Sequence, residues 1–233
     1  MKQTQIYQIR KILFLLSNII TTCNPMNIIM SKIDTWRLKK SRDEKGYKLH
    51  VGCGPRVLKG WINIDIRYDN FKRYLQYYND GSYPTNVRGD RSDFYLIDIT
   101  KNEIPLPDNS VSVIFHEDFF EHLDQRQQIF FLFESLRVMK KGAIHRINTP
   151  NLLKSEFVHT TGNKRKFLTK EWDQYFHKNI CTPEYIEQVS KKIGYKKVIF
   201  GSKNRSTSKL IPIEYRPAPD RSPSGNIFVD LIK

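Results

Sequence analysis

The densest group of side chains that could do acid–base or metal chemistry lies near the middle of the chain. This acid–histidine cluster is His116-Glu117-Asp118-Phe119-Phe120-Glu121-His122. If a helix begins near Asp118, then Asp118, Glu121 and His122 lie at positions i, i+3 and i+4 on one helix face. Such a face suits two kinds of chemistry. It could remove a proton from a substrate hydroxyl as a general base, or it could bind a divalent cation through oxygen and imidazole.

The two chemistries use overlapping residues. His122 and Asp118 are the candidate catalytic residues, and a base at His122, which titrates near neutral pH, ranks slightly ahead of a metal site. The alternative is a metal site made of Asp118, Glu121 and His122. Mg²⁺ is not favoured there, because Mg²⁺ gives up its water reluctantly and needs several carboxylates, while Glu117 would point about 100° away from Asp118 on a helix. For Glu121 we expect a structural role, in hydrogen bonds to the backbone.

A second candidate site is a glycine turn at the end of a short apolar strand. The strand residues Leu49-His50-Val51 run into Gly52-Cys53-Gly54, and glycines there let backbone N–H groups approach a bound ligand closely. A dinucleotide fingerprint needs a third glycine, where this chain has Val57, and an acid about 20 residues further on. Here Asp65 follows Gly54 after only 11 residues. A pyrophosphate cradle is therefore disfavoured.

Short apolar strands alternate with helical segments around both candidate sites. Strand patterns occur at 48–51, 62–66, 94–98, 111–115, 143–147, 195–200 and 226–232. One apolar helix face is predicted before the fifth strand, from Ile129, Leu132, Phe133 and Leu136. Another helix is predicted to begin at Thr182-Pro183-Glu184 and to end at Gly194. The alternation predicts an α/β fold with a doubly wound, mostly parallel sheet.

Six short motifs follow one another in order along the chain. They are Gly52-Cys53-Gly54, Gly60-Trp61-Ile62-Asn63-Ile64-Asp65-Ile66, Leu96-Ile97-Asp98-Ile99-Thr100, Ile104-Pro105-Leu106-Pro107-Asp108-Asn109-Ser110-Val111, Glu121-His122-Leu123 and Arg137-Val138-Met139-Lys140-Lys141-Gly142. This succession resembles the class I S-adenosylmethionine-dependent methyltransferases, and within them the type 11 branch often found among glycan-biosynthesis enzymes. The resemblance covers roughly residues 48–200. It implies a Rossmann-like, doubly wound, mostly parallel seven-stranded sheet, with a methyltransferase domain over 48–233 and an N-terminal helical extension over 1–47.

The same resemblance implies a binding site for S-adenosyl-L-methionine at the carboxyl edge of the sheet, where open α/β sheets bind ligands. The residues that it assigns to the cofactor are Gly52, Cys53, Gly54, Asp65, Ile66, Asp98, Ile99 and His116. The glycine turn would lie against the methionine part, and the acid ending the second strand would hold the ribose hydroxyls. The residues after the third strand would flank the adenine. The histidine after the fourth strand would contact the amino-acid end.

The activity that this resemblance implies is methyl transfer to a small-molecule or sugar/glycan-linked hydroxyl. The net charge of +15 is concentrated in residues 1–48 and 151–233 and suits an anionic partner. A nucleic-acid (RNA) methyltransferase is therefore an alternative, supported by the cluster Lys164-Arg165-Lys166. A further alternative is a protein of this fold that binds a partner without catalysis.

The first residues of the chain predict an amphipathic helix. Apolar residues recur at helical spacing beside basic ones: Ile6, Ile9, Leu13, Leu16 and Ile20, with Lys2, Arg10 and Lys11. This helix could lie on an anionic membrane surface or pack on the domain, and its apolar run is too short to cross a bilayer. Three scattered cysteines without zinc spacing fit a reduced compartment. We expect a cytoplasmic protein with a peripheral membrane contact as an option.

Overall fold

A seven-stranded sheet organises the chain in the computed structural model, which describes residues 25–41, 46–68, 85–151, 176–214 and 225–233. The strands are β1 (Tyr47–Val51), β2 (Ile62–Asp65), β3 (Phe94–Leu96), β4 (Val111–Glu117), β5 (Met139–Pro150), β6 (Lys197–Phe200) and β7 (Asn226–Ile232). The α-helices of the described ranges are α1 (Pro25–Lys40), α2 (Gln125–Val138) and α3 (Pro183–Ile193).

The strand order is β3-β2-β1-β4-β5-β7-β6. Strands β1 to β5 pair in parallel, and β7 runs antiparallel to both β5 and β6. The predicted doubly wound, mostly parallel sheet is thereby confirmed. The order along the sheet reverses between β1 and β4, and the crevice outside the carboxyl ends at such a switch point is where open α/β sheets bind ligands.

The central strands are buried, which explains their nearly continuous apolar sequences. Leu49 and Val51 of β1 and Ile114 and Phe115 of β4 have no solvent-accessible surface. Strand β5 extends well beyond the predicted 143–147, because its second half pairs with β7 along Asn226–Ile232.

Local capping signals set the ends of α3 as predicted. The hydroxyl of Thr182 accepts a hydrogen bond from the N–H of Tyr185 at 3.2 Å, and Pro183 stands at the first turn. At the other end, Gly194 has φ 121°, a conformation that side chains with a Cβ rarely adopt. The predicted helix over residues 183–193 is therefore confirmed.

The predicted apolar face of α2 is partly wrong. Ile129 and Phe133 are 42% and 61% exposed, while the polar Gln128 is buried. The reason is that the Gln128 amide is fully used inside: its Nε2 donates to the carbonyl of Phe120 at 2.8 Å, and its Oε1 accepts from the hydroxyl of Tyr185 at 2.8 Å. A buried polar residue with satisfied hydrogen bonds therefore replaced the expected apolar one.

Helix α1 packs beside β3. Its two buried residues are Asp34 and Leu38, and the Asp34 carboxylate accepts from Arg91 at 2.8 Å and from the N–H of Leu96 at 2.9 Å. The amphipathic helix predicted over the first 20 residues and the Lys164-Arg165-Lys166 cluster lie outside the described residues. None of the helices in the described ranges has the length and apolar content needed to cross a membrane.

Candidate functional site

The two glycines of the turn after β1 are needed for different reasons. Both have left-handed backbones, with φ 60° at Gly52 and 52° at Gly54. A Cβ added to Gly52 would overlap the ring of Phe119, whereas a Cβ added to Gly54 would meet no atom within 4 Å. Gly52 is therefore explained by packing inside the protein. Gly54 leaves open space beside its backbone, as close approach by a ligand requires.

Asp65 ends β2 and ties the glycine turn to the sheet. Its Oδ2 accepts a hydrogen bond from the N–H of Gly54 at 2.8 Å, and its Oδ1 accepts from the N–H groups of Ile66 and Arg67 at 2.7 and 3.3 Å. These three backbone N–H groups fix the orientation of the Asp65 carboxylate at the carboxyl edge of the sheet. Cys53, between the two glycines, is buried.

Asp98 and Ile99 follow β3 at the same edge. The N–H of Ile97 donates to the carbonyl of Asp65 at 3.1 Å, which places this segment beside the end of β2. The Asp98 Oδ1 accepts from the N–H and hydroxyl of Thr100 at 3.0 and 2.6 Å. Asp98 therefore shapes its own turn, and Ile99 is buried.

His116, predicted to touch the cofactor, has a fully buried side chain. Its ring packs among Phe119, Phe120 and Phe131, and its Nε2 lies 3.1 Å from the Nε2 of His145. Burial, with the nearby His145, lowers the pKa of His116 well below 6.5. The imidazole is enclosed by these rings, and the cofactor contact expected of His116 stays a prediction.

The helix predicted near Asp118 is wrong. Asp118 has a left-handed backbone with φ 48°, and Phe120–His122 form a single 3-10 turn. The helix begins only after Asp124, whose side chain accepts from the N–H of Gln127 at 2.8 Å in a capping box. The i, i+3, i+4 face that would have aligned Asp118 with Glu121 and His122 therefore does not form.

The structure instead brings Glu121 and His122 together with His177, which the sequence analysis missed. One donor atom from each of the three side chains lies within 4.8 Å of the other two. The Oε1 of Glu121 is 3.9 Å from the Nε2 of His122 and 3.9 Å from that of His177. Asp118 is not part of this group. No sequence spacing links position 177 to positions 121 and 122, so only the fold reveals the cluster.

Burial and charge determine the state of Glu121. Its side chain is fully buried, and burial together with the charge of Asp118 raises its pKa from 4.5 to about 7. His177 and a hydrogen bond from the hydroxyl of Thr149, at 2.8 Å from Oε2, act in the opposite direction. The side chain of His122 is 39% exposed. The cluster thus consists of a buried carboxyl group, the buried imidazole of His177 and the partly exposed imidazole of His122.

A second polar group follows the end of β4, and the sequence analysis missed it too. Arg56, just after the glycine turn, forms an ion pair with Glu117, and both side chains are buried. The amide of Asn148 on β5 donates to the Oε1 of Glu117 at 3.0 Å. This pair joins the glycine turn to the carboxyl ends of β4 and β5.

Comparison with known proteins identifies the fold. A SAM dependent methyltransferase from Archaeoglobus fulgidus has 17% sequence identity and a TM-score of 0.51, over 95% of this chain and 99% of that one. A protein of Thermotoga maritima, titled a SAM-dependent methyltransferase and possible histamine N-methyltransferase, has 14% identity and a TM-score of 0.50, over 96% and 97%. No protein-family model matches the chain, and a search of curated proteins finds no match. At these identities the likeness shows the fold, which is the Rossmann-like fold of class I methyltransferases.

Proposed function

We propose that this protein transfers a methyl group from S-adenosylmethionine to a hydroxyl of a small molecule or of a sugar or glycan. The observation that carries the proposal is the placement of the open backbone at Gly54 beside the carboxylate of Asp65, at the edge where the strand order reverses. In a class I methyltransferase fold this is the edge that ligands use.

The residues of this edge fit the cofactor in chemistry. Gly54 leaves room for the methionine part to approach the backbone. Asp65 is held in place by three backbone N–H groups, which fix its carboxylate at the edge where the ribose hydroxyls of the cofactor would lie. The segment of Asp98 and Ile99 adjoins Asp65 through the Ile97 hydrogen bond, on the side assigned to the adenine.

S-adenosylmethionine supplies a methyl carbon bound to a positively charged sulfur, and the carbon–sulfur electron pair stays on sulfur when the methyl leaves. The protein must then align an acceptor oxygen with that carbon, since positioning provides much of the rate, and must remove the hydroxyl proton. His122 is the candidate base, because its imidazole is partly exposed and lies 3.9 Å from the Glu121 carboxylate, which would stabilise the imidazolium.

Cofactor binding is the first test. S-adenosylhomocysteine at 100 times its dissociation constant should stabilise the folded state by about 2.7 kcal/mol, seen as a raised melting temperature and in calorimetry. Asp65→Asn should weaken this binding while keeping an acceptor for the Gly54 N–H. The matched control is Glu103→Gln, an exposed carboxylate on another loop. No stabilisation of the unmutated protein by saturating ligand would reject the cofactor and favour a partner-binding protein without catalysis.

The acceptor is the second test. Labelled S-adenosylmethionine should be incubated with sugar, lipid-linked and RNA acceptor pools, and the product identified. We expect label in a sugar or small-molecule hydroxyl. Label in RNA, with salt-sensitive binding of oligonucleotides, would support the nucleic-acid alternative instead.

We also propose that the amphipathic helix predicted over the first 20 residues contacts an anionic membrane surface. Its apolar residues recur at helical spacing beside Lys2, Arg10 and Lys11, and this combination favours anionic lipid interfaces. Anionic vesicles should retain the full chain and not a truncation that starts at Met30. Equal retention of both proteins would reject this contact.

A further inference from the structure

His177 is held against Glu121 and His122 by backbone contacts between two distant segments. The N–H groups of Lys178 and Asn179 both donate to the carbonyl of Glu121, at 2.8 and 3.3 Å. The side-chain amide of Asn179 also donates to the carbonyl of Leu123. These bonds hold the segment before α3 across the turn after β4, so the approach of the three side chains is built into the fold.

The ligand atoms of this group lie close enough to close around one ion. The two distances of 3.9 Å from the Glu121 Oε1 to the imidazole nitrogens exceed hydrogen-bond length, and all three ligand atoms lie within 4.8 Å of one another. Ligand atoms about 2.1 Å from a shared metal ion lie about 3.4 Å apart in tetrahedral geometry. The Glu121–His122–His177 group is therefore slightly wider than a metal-bound set, and small side-chain shifts would bring its atoms to a shared centre.

A bound ion would also provide a partner for one oxygen of the buried Glu121 carboxylate. Its Oε2 accepts from Thr149, but its fully buried Oε1 has no hydrogen-bond partner in the described part of the chain. A buried polar oxygen without a partner is costly and calls for a structural reason. Asp118 acts electrostatically on Glu121 and adds negative charge near the group without being one of its donors.

We infer that Glu121, His122 and His177 bind one divalent transition-metal ion. Two imidazoles and one carboxylate suit Mn²⁺, Fe²⁺, Co²⁺ or Zn²⁺ better than the oxygen-preferring Mg²⁺ and Ca²⁺. Three protein ligands leave coordination positions open, as catalytic sites require, and the partly exposed His122 marks the side from which a small molecule can enter.

For the proposed methyl transfer, on which this step rests, the ion would polarise a coordinated acceptor hydroxyl so that solvent water can take its proton. His122 would then be a metal ligand and not the base named under the proposed function, which reverses the ranking made from sequence. Glu121 becomes a ligand in place of its expected structural role, and His177 takes the position expected for Asp118.

The test is metal binding by the full chain after treatment with a chelator. Calorimetric titration with Mn²⁺, Co²⁺, Zn²⁺ and Mg²⁺ should show one transition-metal ion per chain and much weaker binding of Mg²⁺. Bound Co²⁺ should show visible absorption without the intense sulfur-to-cobalt bands that cysteine ligands produce. His177→Gln and Glu121→Gln should each weaken binding about tenfold or more, and the control Glu187→Gln, an exposed carboxylate on α3, should bind as the unmutated chain does.

The outcomes separate this proposal from the proposed function. If Glu121→Gln misfolds, as circular dichroism would show, His122→Gln replaces it, since that ring is partly exposed. No ion bound at millimolar metal, or equal affinity in unmutated and ligand-variant chains, overturns the metal site. S-adenosylhomocysteine binding is measured in the same chelated protein, so its absence would reject methyl transfer while leaving the metal result to stand by itself.

Discussion

Three fully buried histidines on adjacent central strands should make the protein sensitive to acid. They are His50 on β1, His116 on β4 and His145 on β5. Burial lowers the pKa of His50 from 6.5 to about 3 and that of His145 also to about 3, and it lowers the pKa of His116 well below 6.5. The Nδ1 of His145 lies 3.1 Å from the hydroxyl of Tyr195, and in its neutral form the ring can both donate and accept in this network.

The sign and size of the effect follow from proton linkage. Below pH 6.5 the unfolded chain binds a proton at each of these histidines while the folded chain does not, so stability falls as pH falls. Each histidine removes about 1.4 kcal/mol of unfolding free energy per pH unit. Glu121 acts in the opposite direction, because its pKa is raised to about 7 and the folded chain holds the extra proton. The three histidines lower the unfolding free energy as pH falls, and Glu121 raises it. The net loss of unfolding free energy is about 2.7 kcal/mol per pH unit between roughly pH 6.5 and 5.

Urea unfolding at a series of pH values, followed by tryptophan fluorescence in chelator-treated protein, measures this slope. Domains of ordinary stability hold about 5–15 kcal/mol, so a large part of the stability should be lost before about pH 5. His145→Gln keeps a partner for Tyr195 but cannot titrate, and it should make the slope shallower by about 1.4 kcal/mol per pH unit. Stability that is unchanged from pH 7 to 5, or a slope that is the same in His145→Gln, would refute the argument.

Two further predictions concern the glycine turn and a buried ion pair. Gly54→Ala should lower the unfolding free energy by about 1–2 kcal/mol because of its left-handed backbone, and it should weaken S-adenosylhomocysteine binding. Gly52→Ala should lower the unfolding free energy by about 1–3 kcal/mol more, because Phe119 must move. Equal losses in denaturant unfolding would show that Phe119 does not restrict the turn. Glu214→Gln should cost about 3 kcal/mol, because Arg146 donates to both Glu214 oxygens, at 2.8 and 3.0 Å, inside the protein. An unchanged urea midpoint in that variant would show that the Arg146–Glu214 pair does not stabilise the fold.

The sequence alone determined the elements whose signals are local. The cap of Thr182, the proline after it and Gly194 define α3 within a turn at each end, because helix capping depends on residues three or four positions apart. Strand β7 agrees with its predicted bounds because five of its seven residues are apolar. The order of six motifs was also enough to predict the sheet and the fold.

Only the tertiary structure decided how the candidate site is assembled. His177 reaches Glu121 through bonds between segments more than 50 residues apart, and no local spacing carries that information. Asp118 is not in the ligand group, because the helix begins only after the Asp124 capping box and the helix face supposed at Asp118 does not form. Of the two glycines in the turn after β1, Gly52 is required by the packing of Phe119 and Gly54 lies beside open space. The contacts of His177 and of Gly52 join residues on different elements, whose approach depends on the packing of the whole chain.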